Sequence, residues 1–328
     1  MTVKTRKIVK IVSIALAAVL TVTGSVFGFV EIGKRRLRES LSFTDNNLTS
    51  SQAYGDNAEV FHKGQGYVYN DNLINILCIG VDKQDKNEKR SRQADALYLL
   101  SLDTQKNQLN ILAISRNTLA DIDIYDVNNE FLDTDNAQIC LSYAYGKDDK
   151  KSSLLTCKAV SKFLYDVPIN SYYTIYMDGV TKVVDSVGGV KVTLAEDLSA
   201  CDKNWQKGKQ ITLKSGNVLK YLQYREESNE PRMQRHIGFI KEFVNSAKAT
   251  LKKDISLPVD LYKKISKNSV TDIDVSEITY LITEISKAKV DFHSVKGKTG
   301  SDGIHETFIA DDEALFETVL NLFYIKTN

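Results

Sequence analysis

The sequence predicts an α/β fold, in which a mixed central β-sheet flanked by helices follows one N-terminal transmembrane helix. Three observations predict it: an uncharged stretch near the N-terminus, three strand-like apolar runs after residue 72, and helical segments that alternate with further strands. Of the 328 residues, 42% are hydrophobic and 26% are charged, so the chain has enough apolar surface to build a sizeable core.

Residues 11–30, IVSIALAAVLTVTGSVFGFV, carry no charge and have the length of a helix that spans a bilayer. A cleaved signal peptide and a buried core helix are the alternatives. The run is longer than the apolar part of an ordinary signal peptide, and no A-x-A-like site precedes the basic segment GKRRLR, which favours an uncleaved anchor. Basic residues flank both sides equally, so the positive-inside rule leaves the orientation open.

The composition divides the chain into four parts. Residues 1–10 form a short tail, residues 11–30 the transmembrane anchor, residues 31–72 a juxtamembrane stem and residues 73–328 one folded domain. The stem is predicted because the segment from residue 40 is polar, rich in Ser, Asn, Asp and Gly, and only weakly periodic.

The folded domain begins with three strands, LINILCIGVD, ADALYLLSLD and QLNILAIS, of which the last two form a hairpin across the turn TQKN. An irregular acidic loop is predicted over residues 121–136. The remaining elements are helices near AQICLSYAYG and over 152–165, a strand at SYYTIYMD, a helix at GVTKVVDSV, a strand at VKVTL, helices at 215–224, from Pro231 onward, at 255–267 and at 275–288, a strand at VDFHSV and a helix at 311–323.

The net charge of +1 conceals an asymmetry. Residues 1–38 hold eight of the 43 Lys and Arg residues but one of the 42 acidic residues, so the rest of the chain is acidic. General nucleic-acid binding requires a broad basic surface, so no nucleic acid is expected as a partner. The four cysteines lack metal-site spacing; Cys140 and Cys157 flank predicted helices and are compatible with a disulfide in an oxidising compartment.

Two aspartates stand where predicted strands meet loops. Asp82 ends the first strand and Asp95 begins the second, so adjacent strands would bring the two carboxylates together. Such a pair forms a hard, oxygen-only site suited to Mg²⁺ or Mn²⁺. The alternative is that each aspartate simply caps a strand end or a turn.

Arg116, in AISRNT, stands at the end of a buried strand, where a guanidinium is costly unless it meets water or an anion. Further along, Arg232, Arg235 and His236 have i, i+3, i+4 spacing and share one helix face beside an apolar stripe. This helix either aims guanidinium groups into a cleft or turns its charged face to solvent. No phosphate-loop, dinucleotide, nucleophile-elbow or zinc-protease motif occurs in the sequence.

The order of these pieces resembles the LytR-CpsA-Psr family. The strand that ends in G-V-D at Asp82, the R-x-x-D element from Arg92 to Asp95 and the segment ISRNT carry the resemblance. The segments LSYAYG, VPINSYYTIYMDGV, VDSVGGVKVT, YLQYRE and RMQRH continue it, so that it covers about residues 73–245.

The resemblance implies a LytR-CpsA-Psr-like fold and an enzyme outside the cell membrane of a Gram-positive type of bacterium. Such proteins transfer a glycopolymer, for example teichoic acid or capsular polysaccharide, from an undecaprenyl-pyrophosphate carrier to the C6 hydroxyl of N-acetylmuramic acid in peptidoglycan. It also implies the orientation: a single-pass membrane protein with residues 39–328 outside the cell.

The resemblance further implies roles for individual residues. Asp82 and Asp95 match the aspartates that hold Mg²⁺ against the pyrophosphate, and Arg116 and Arg225 match catalytic arginines. The residues expected to bind the pyrophosphate are Arg92, Arg116, Arg225, Arg232, Arg235 and His236. Arginine forks and a divalent cation are suited to this, because they grip a pyrophosphate and neutralise its leaving charge.

Four positions depart from the family pattern. Asn117 replaces the usual Asp after the arginine, and Gln223 replaces the first arginine of Y-x-R-x-R. His236 stands where glutamine is common, and Gln138 where lysine is common. Two cationic contacts are thereby lost, although a protonated His236 would return one. The alternative function is therefore a non-catalytic, membrane-anchored protein that binds polyprenyl phosphate or regulates the cell envelope.

Overall fold

The computed structural model describes residues 30–37, 58–82, 92–224, 229–254 and 256–327. The predicted anchor, except for its last residue, lies outside these ranges, as does the tail before it. In the part of the chain that the structure describes, no helix has both the length and the apolar composition needed to cross a bilayer.

The described residues form fifteen strands and eight α-helices. The strands are β1 (Val60–His62), β2 (Gln65–Tyr69), β3 (Leu73–Val81), β4 (Ala94–Asp103), β5 (Gln108–Ile114), β6 (Leu119–Tyr125), β7 (Phe131–Gln138), β8 (Ser171–Tyr176), β9 (Val190–Thr193), β10 (Gln210–Leu213), β11 (Ser269–Thr271), β12 (Lys289–Ser294), β13 (Gly297–Ser301), β14 (Glu306–Ala310) and β15 (Tyr324–Lys326). The helices are α1 (30–37), α2 (Asp149–Phe163), α3 (Met177–Ser186), α4 (Val218–Gln223), α5 (Asn229–Leu251), α6 (Leu257–Ile265), α7 (Val275–Lys287) and α8 (Asp312–Phe323), with 3₁₀ helices at Ile139–Tyr145 and Ser266–Asn268.

Six strands form the central sheet in the order β11-β8-β3-β4-β5-β12. The consecutive strands β3, β4 and β5 are antiparallel, as predicted, whereas β8 and β12 join parallel to β3 and β5. A later strand reaches a parallel position only through a long crossover, and the helices that supply the crossovers cover the sheet. The prediction of a mixed sheet flanked by helices is therefore confirmed.

Alternation along β3 separates two hydrophobic cores. Leu77 and Ile79 face a core that contains α2, α8 and the first 3₁₀ helix. Ile74 and Ile76 face the opposite core, which α5 and α7 complete and to which Leu37 of α1 adds a fully buried side chain. Successive strand side chains point to opposite faces, so one apolar run serves both layers.

A third cluster positions the helices beside the site. Val192 of β9, Leu213 of β10 and Trp205 of the intervening loop pack against Leu222 of α4 and Phe239 of α5. This packing fixes α4 against the first turns of α5, which carry the predicted arginines.

Two segments differ from the sequence prediction. Residues 121–136, predicted as an irregular loop, form most of the antiparallel hairpin β6–β7, so that prediction is wrong. The predicted stem contains β1 and β2, which pair with each other, and β2 also pairs with β15 from the opposite end of the domain. The disulfide considered between Cys140 and Cys157 is not formed, since both are buried free thiols.

Candidate active site

The two aspartates lie side by side at one edge of the central sheet. Val81, at the end of β3, pairs with Ala94, at the start of β4, across a register shift. Asp82 and Asp95 therefore adjoin, and the backbone N–H of Asp82 donates to the Asp95 carboxylate. The sequence prediction that adjacent strands bring the two carboxylates together is confirmed.

Arg116 reaches the same edge from β5. It follows Leu112 and Ile114 in the strand alternation, which directs it to the face where Cys140 lies. Its guanidinium donates to the carboxylate of Asp95, to the side-chain oxygen of Gln93 and, at 3.7 Å, to the sulfur of Cys140. Its Nε is buried and has no hydrogen-bond partner among the described residues. Arg116 therefore meets a carboxylate, and one of its N–H groups is left over.

Burial raises the pKa of Asp95, and the neighbouring charge of Asp82 adds to that effect. Arg116, Arg232 and the Asp82 N–H oppose it, but the pKa stays above its ordinary value. Burial alone would lower the pKa of Arg116, but the charge of Asp95 raises it. The charge of ionised Asp95 is thus incompletely compensated by the protein, and a cation close to this carboxylate would stabilise its ionised form.

Two further side chains converge on the aspartates. Arg232, from the first turns of α5, donates to the backbone carbonyl of Asp95 at 3.0 Å. The amide of Gln223, at the end of α4, lies 3.3 Å from the Asp82 carboxylate. A small cleft between the sheet edge and α5 is lined by Asp95, Ser115, Arg116, Arg232, Met233 and His236.

Arg235 and His236 are directed toward α4. Arg235 donates to the carbonyl oxygens of Tyr221, at 2.8 Å, and Tyr224, and pairs with Glu196. His236 lies 2.8 Å from the carbonyl of Leu222, and burial lowers its pKa to about 4, so the ring is neutral at neutral pH and donates to that carbonyl. Both residues hold α4 against α5, and a pyrophosphate contact by either stays a prediction.

Arg92 belongs to a polar cluster at the end of β8. Its guanidinium pairs with Asp149 at the start of α2 and lies 5.7 Å from the ring centre of Tyr176. The hydroxyls of Tyr176 and Tyr143 donate to the same carboxylate at 2.5 and 3.1 Å. Because Tyr176 pairs with Val81 in the sheet, this cluster lies at the same edge as the aspartates.

Two departures from the family pattern share one partner. Asn117 is buried and donates to the Glu306 carboxylate at 2.9 Å, while Gln138 donates to the Glu306 backbone carbonyl at 2.7 Å. Both side chains thus hold β14 beside the site. Arg225, the predicted second catalytic arginine, lies outside the described residues.

Sequence reasoning missed the residues that hold the predicted ones in place. Gln93 stands two positions before Asp95, and strand alternation alone would have placed it on the same face. Asp149 and Tyr176 come from distant segments and gave no local signal. Tyr143 lies within LSYAYG, a segment that carries the family resemblance, but nothing in the sequence indicates its contact with Asp149.

The described residues thus form an α/β domain in which two carboxylates and two arginines converge at one edge of the central sheet. A family model described as the LytR_cpsA_psr family matches residues 40–322, and the chain belongs to this family.

The sequence identity to individual members with known names is about one quarter. The chain is 26% identical over 248 residues to the polyisoprenyl-teichoic acid–peptidoglycan teichoic acid transferase TagU of Oceanobacillus iheyensis, covering 73% of this chain and 72% of that protein. It is also 26% identical to TagU of Bacillus subtilis, with 76% of each chain covered.

Solved structures share the fold. The crystal structure of B. subtilis TagV has a TM-score of 0.59 at 21% identity, covering 76% of this chain and 96% of that one. A structure of TagT bound to LI-WTA has a TM-score of 0.60 at 20% identity, covering 84% of this chain and 98% of that one. These similarities establish the fold, and the two TagU relatives are named as teichoic acid transferases.

Proposed function

We propose that this protein transfers a glycopolymer from an undecaprenyl-pyrophosphate carrier to peptidoglycan, with the C6 hydroxyl of N-acetylmuramic acid as acceptor. The observation that carries the proposal is the convergence of Arg116 and Arg232 on Asp95, next to Asp82. Their positive charges suit a pyrophosphate, whose two phosphate groups must be bound and neutralised during transfer. The names of the TagU relatives are consistent with this substrate class.

The two aspartates fit a magnesium ion. They offer carboxylate oxygens only, and the pKa of Asp95 is raised by burial first and by the like charge of Asp82 second, which a bound cation would offset. Asp82 and Asp95 would hold the ion, which would supply Lewis-acid stabilisation of the pyrophosphate oxygens. Mn²⁺ is the alternative cation, since it accepts the same ligands.

The transfer step requires neutralisation of the negative charge that develops on the leaving polyprenyl phosphate. The acceptor oxygen forms a bond to the phosphorus that carries the glycopolymer, the bond from that phosphorus to the bridging oxygen breaks, and polyprenyl phosphate leaves. The proton of the acceptor hydroxyl passes to water. Arg116 and Arg232 would bind the oxygens where charge develops, and the buried Nε–H of Arg116, which has no partner among the described residues, would supply a further donor.

Transfer to peptidoglycan requires the domain to lie outside the cell. We propose that residues 11–30 anchor the chain in the membrane with residues 39–328 outside, as a single-pass protein. Protease added to intact protoplasts should then digest the domain, and full protection of the domain would contradict this topology.

The activity itself is tested with the full chain in detergent, a polyprenyl-pyrophosphate-linked saccharide and peptidoglycan fragments, with and without Mg²⁺. Release of polyprenyl phosphate together with saccharide-modified peptidoglycan is expected only with Mg²⁺. Arg116→Ala should abolish release, whereas the control Arg36→Ala, which removes an arginine paired with Asp274 elsewhere in the domain, should retain it.

One observation favours a second candidate, a binding protein that does not transfer the polymer. Arg235 and His236 form hydrogen bonds with backbone carbonyls of α4, and Gln223 supplies an amide where the family pattern has a cation. In the same assay, binding of the carrier without release of polyprenyl phosphate would favour this candidate.

A further inference from the structure

A second group of metal-ligating side chains lies outside the proposed active site, where the start of the domain meets its end. His62 ends β1, and Glu313 and Glu317 stand one turn apart on α8. One ligand atom from each of the three residues lies within 4.8 Å of the others. Within the part of the chain that the structure describes, no other group of His, Cys, Asp and Glu side chains meets this condition.

The spacing suits a shared ion better than direct hydrogen bonds. His62 Nε2 lies 3.6 Å from Glu313 Oε1 and 3.9 Å from Glu317 Oε1. Both distances are too long for a hydrogen bond, and Nε2 is shielded from solvent and has no hydrogen-bond partner within the ranges that the structure describes. Two ligands bound to one tetrahedral zinc ion at 2.0–2.1 Å lie about 3.3 Å apart, so a small closure would complete the site.

The ammonium group of Lys63 lies against both glutamates, where the shared ion would bind. Its ammonium lies 2.8 Å from Glu313 Oε1 and 2.6 Å from Glu317 Oε1. Lys63 stands in a two-residue turn with Gly64, where both residues have positive φ, and its side chain is 64% exposed. Because the side chain is largely exposed, it has room to move into solvent when an ion displaces it from the two glutamates, which would leave two carboxylates and one imidazole around the ion.

We propose that His62, Glu313 and Glu317 bind a zinc ion, and that Lys63 takes the place of the ion when zinc is absent. One imidazole nitrogen and two carboxylate oxygens are a ligand set that zinc accepts, with a fourth position left for water. The ion would fasten the β1–β2 turn to α8 and so close the domain across its two ends.

The contacts around the site give the ion a structural role. The ring of His62 packs edge-on against Phe316 at a centroid distance of 5.2 Å, and Phe316 contacts Tyr165 in the same way at 5.1 Å. These rings fix the direction of the imidazole toward α8. The proposal is independent of the transferase function, since no residue of this site belongs to the cluster around Asp82 and Asp95.

Competition with a chromogenic zinc chelator tests the proposal on the full chain in detergent. His62→Gln and Glu317→Gln should each weaken zinc binding at least about tenfold, because each removes a ligand. Lys63→Gln should strengthen it about tenfold, because it removes a cation that competes for the same carboxylates. The control His305→Gln alters a histidine 3.7 Å from the single carboxylate of Asp302 and should leave the affinity unchanged.

The Lys63→Gln variant separates the proposal from a simple folding effect, since a misfolded protein would not gain affinity. Zinc should also raise the melting temperature of the wild type more than that of His62→Gln. Unchanged zinc affinity in either His62→Gln or Lys63→Gln would overturn the proposal and leave His62, Lys63 and the two glutamates as an ion-pair cluster.

Discussion

The guanidinium of Arg116 donates to the carboxylate of Asp95, joining the end of β5 to the start of β4. Only 16% of the arginine side chain and 14% of the aspartate side chain are exposed, so each charge depends on the other for compensation. Asp82, by contrast, contributes a like charge to the same place. The two aspartates are therefore expected to respond differently to the same substitution.

Asp95→Ala should lower the free energy of unfolding by about 2 kcal/mol, because it leaves an N–H group of the mostly buried Arg116 without its acceptor. Asp82→Ala should keep it within about 0.5 kcal/mol of the wild type or raise it slightly, because a repulsive charge is removed. Urea unfolding without divalent cations measures both values. Both variants should lose Mg²⁺-dependent activity; a large loss of stability in Asp82→Ala with normal Mg²⁺ affinity would instead indicate a strand cap.

Arg116→Ala should weaken binding of a short-chain polyprenyl pyrophosphate by about 2 kcal/mol, or roughly thirtyfold, the range for a lost charge-assisted contact. Arg116→Lys should recover only part of the affinity, because one ammonium cannot replace a fork that serves both Asp95 and Gln93. Isothermal titration calorimetry measures the affinity, with Arg36→Ala as the control. Wild-type affinity in Arg116→Ala would mean that this arginine only holds β4 and β5 together.

Gln223→Arg restores the cation of the family pattern at a position 3.3 Å from the Asp82 carboxylate. The added charge should strengthen pyrophosphate binding in the absence of metal. It should also weaken Mg²⁺ binding, because the guanidinium competes for the same carboxylate. Calorimetric titrations with each ligand alone measure the two effects, and Gln223→Met controls for side-chain shape. If Gln223→Arg and Gln223→Met behave alike, the charge at this position has no part in either binding event.

His236 makes stability depend on pH. Its pKa is near 6.5 in the unfolded chain and about 4 in the folded protein, because burial disfavours the charged ring. Between these values only the unfolded chain binds the proton, so stability falls as the pH drops from 6.5 toward 4 and changes no further below 4. The loss attributable to His236 is about 3 kcal/mol.

His236→Gln should remove this part of the pH dependence, since glutamine does not titrate and can still donate to the Leu222 carbonyl. The measurement is urea unfolding at pH 7.5 and pH 4.5 for both proteins. An equal loss in wild type and variant would show that other histidines, such as His293, whose pKa burial also lowers, account for the acid sensitivity.

The predictability of the fold differed between segments for physical reasons. Strands β3, β4 and β5 are apolar along most of their length because helices cover both of their faces, and such runs are recognisable in the sequence. Strand β7 has no buried residue, so it carries no apolar periodicity, and only its pairing with β6 defines it. In β6 the apolar residues do alternate, but the intervening aspartates, which are rare in strands, favoured a loop.

The site was predictable for those residues that directly precede or follow a strand of the central sheet in the sequence. Asp82, Asp95 and Arg116 stand at the ends of three consecutive strands, so recognising those strands was enough to bring them together. The partners of Arg235 and His236 on α4 depend on helix packing around Trp205, which no local pattern encodes. For the same reason the contact between Arg92 and Asp149 could not be predicted.

The pairing of β2 with β15 has a practical consequence for attaching probes. The backbone N–H of Thr327 donates to the carbonyl of Gly66 at 2.9 Å, and Ala58 lies against the same glycine, so the two ends of the described domain adjoin. The start of β15 lies beside Tyr69 and Asn70, shortly before Leu73, whereas Asp82 follows the far end of β3, about 30 Å from Leu73 at the usual rise per strand residue. A fluorophore or a surface-immobilisation tag placed after Thr327 would thus leave the charged cleft open to a lipid-linked ligand, and a labelled ligand could be followed there by energy transfer.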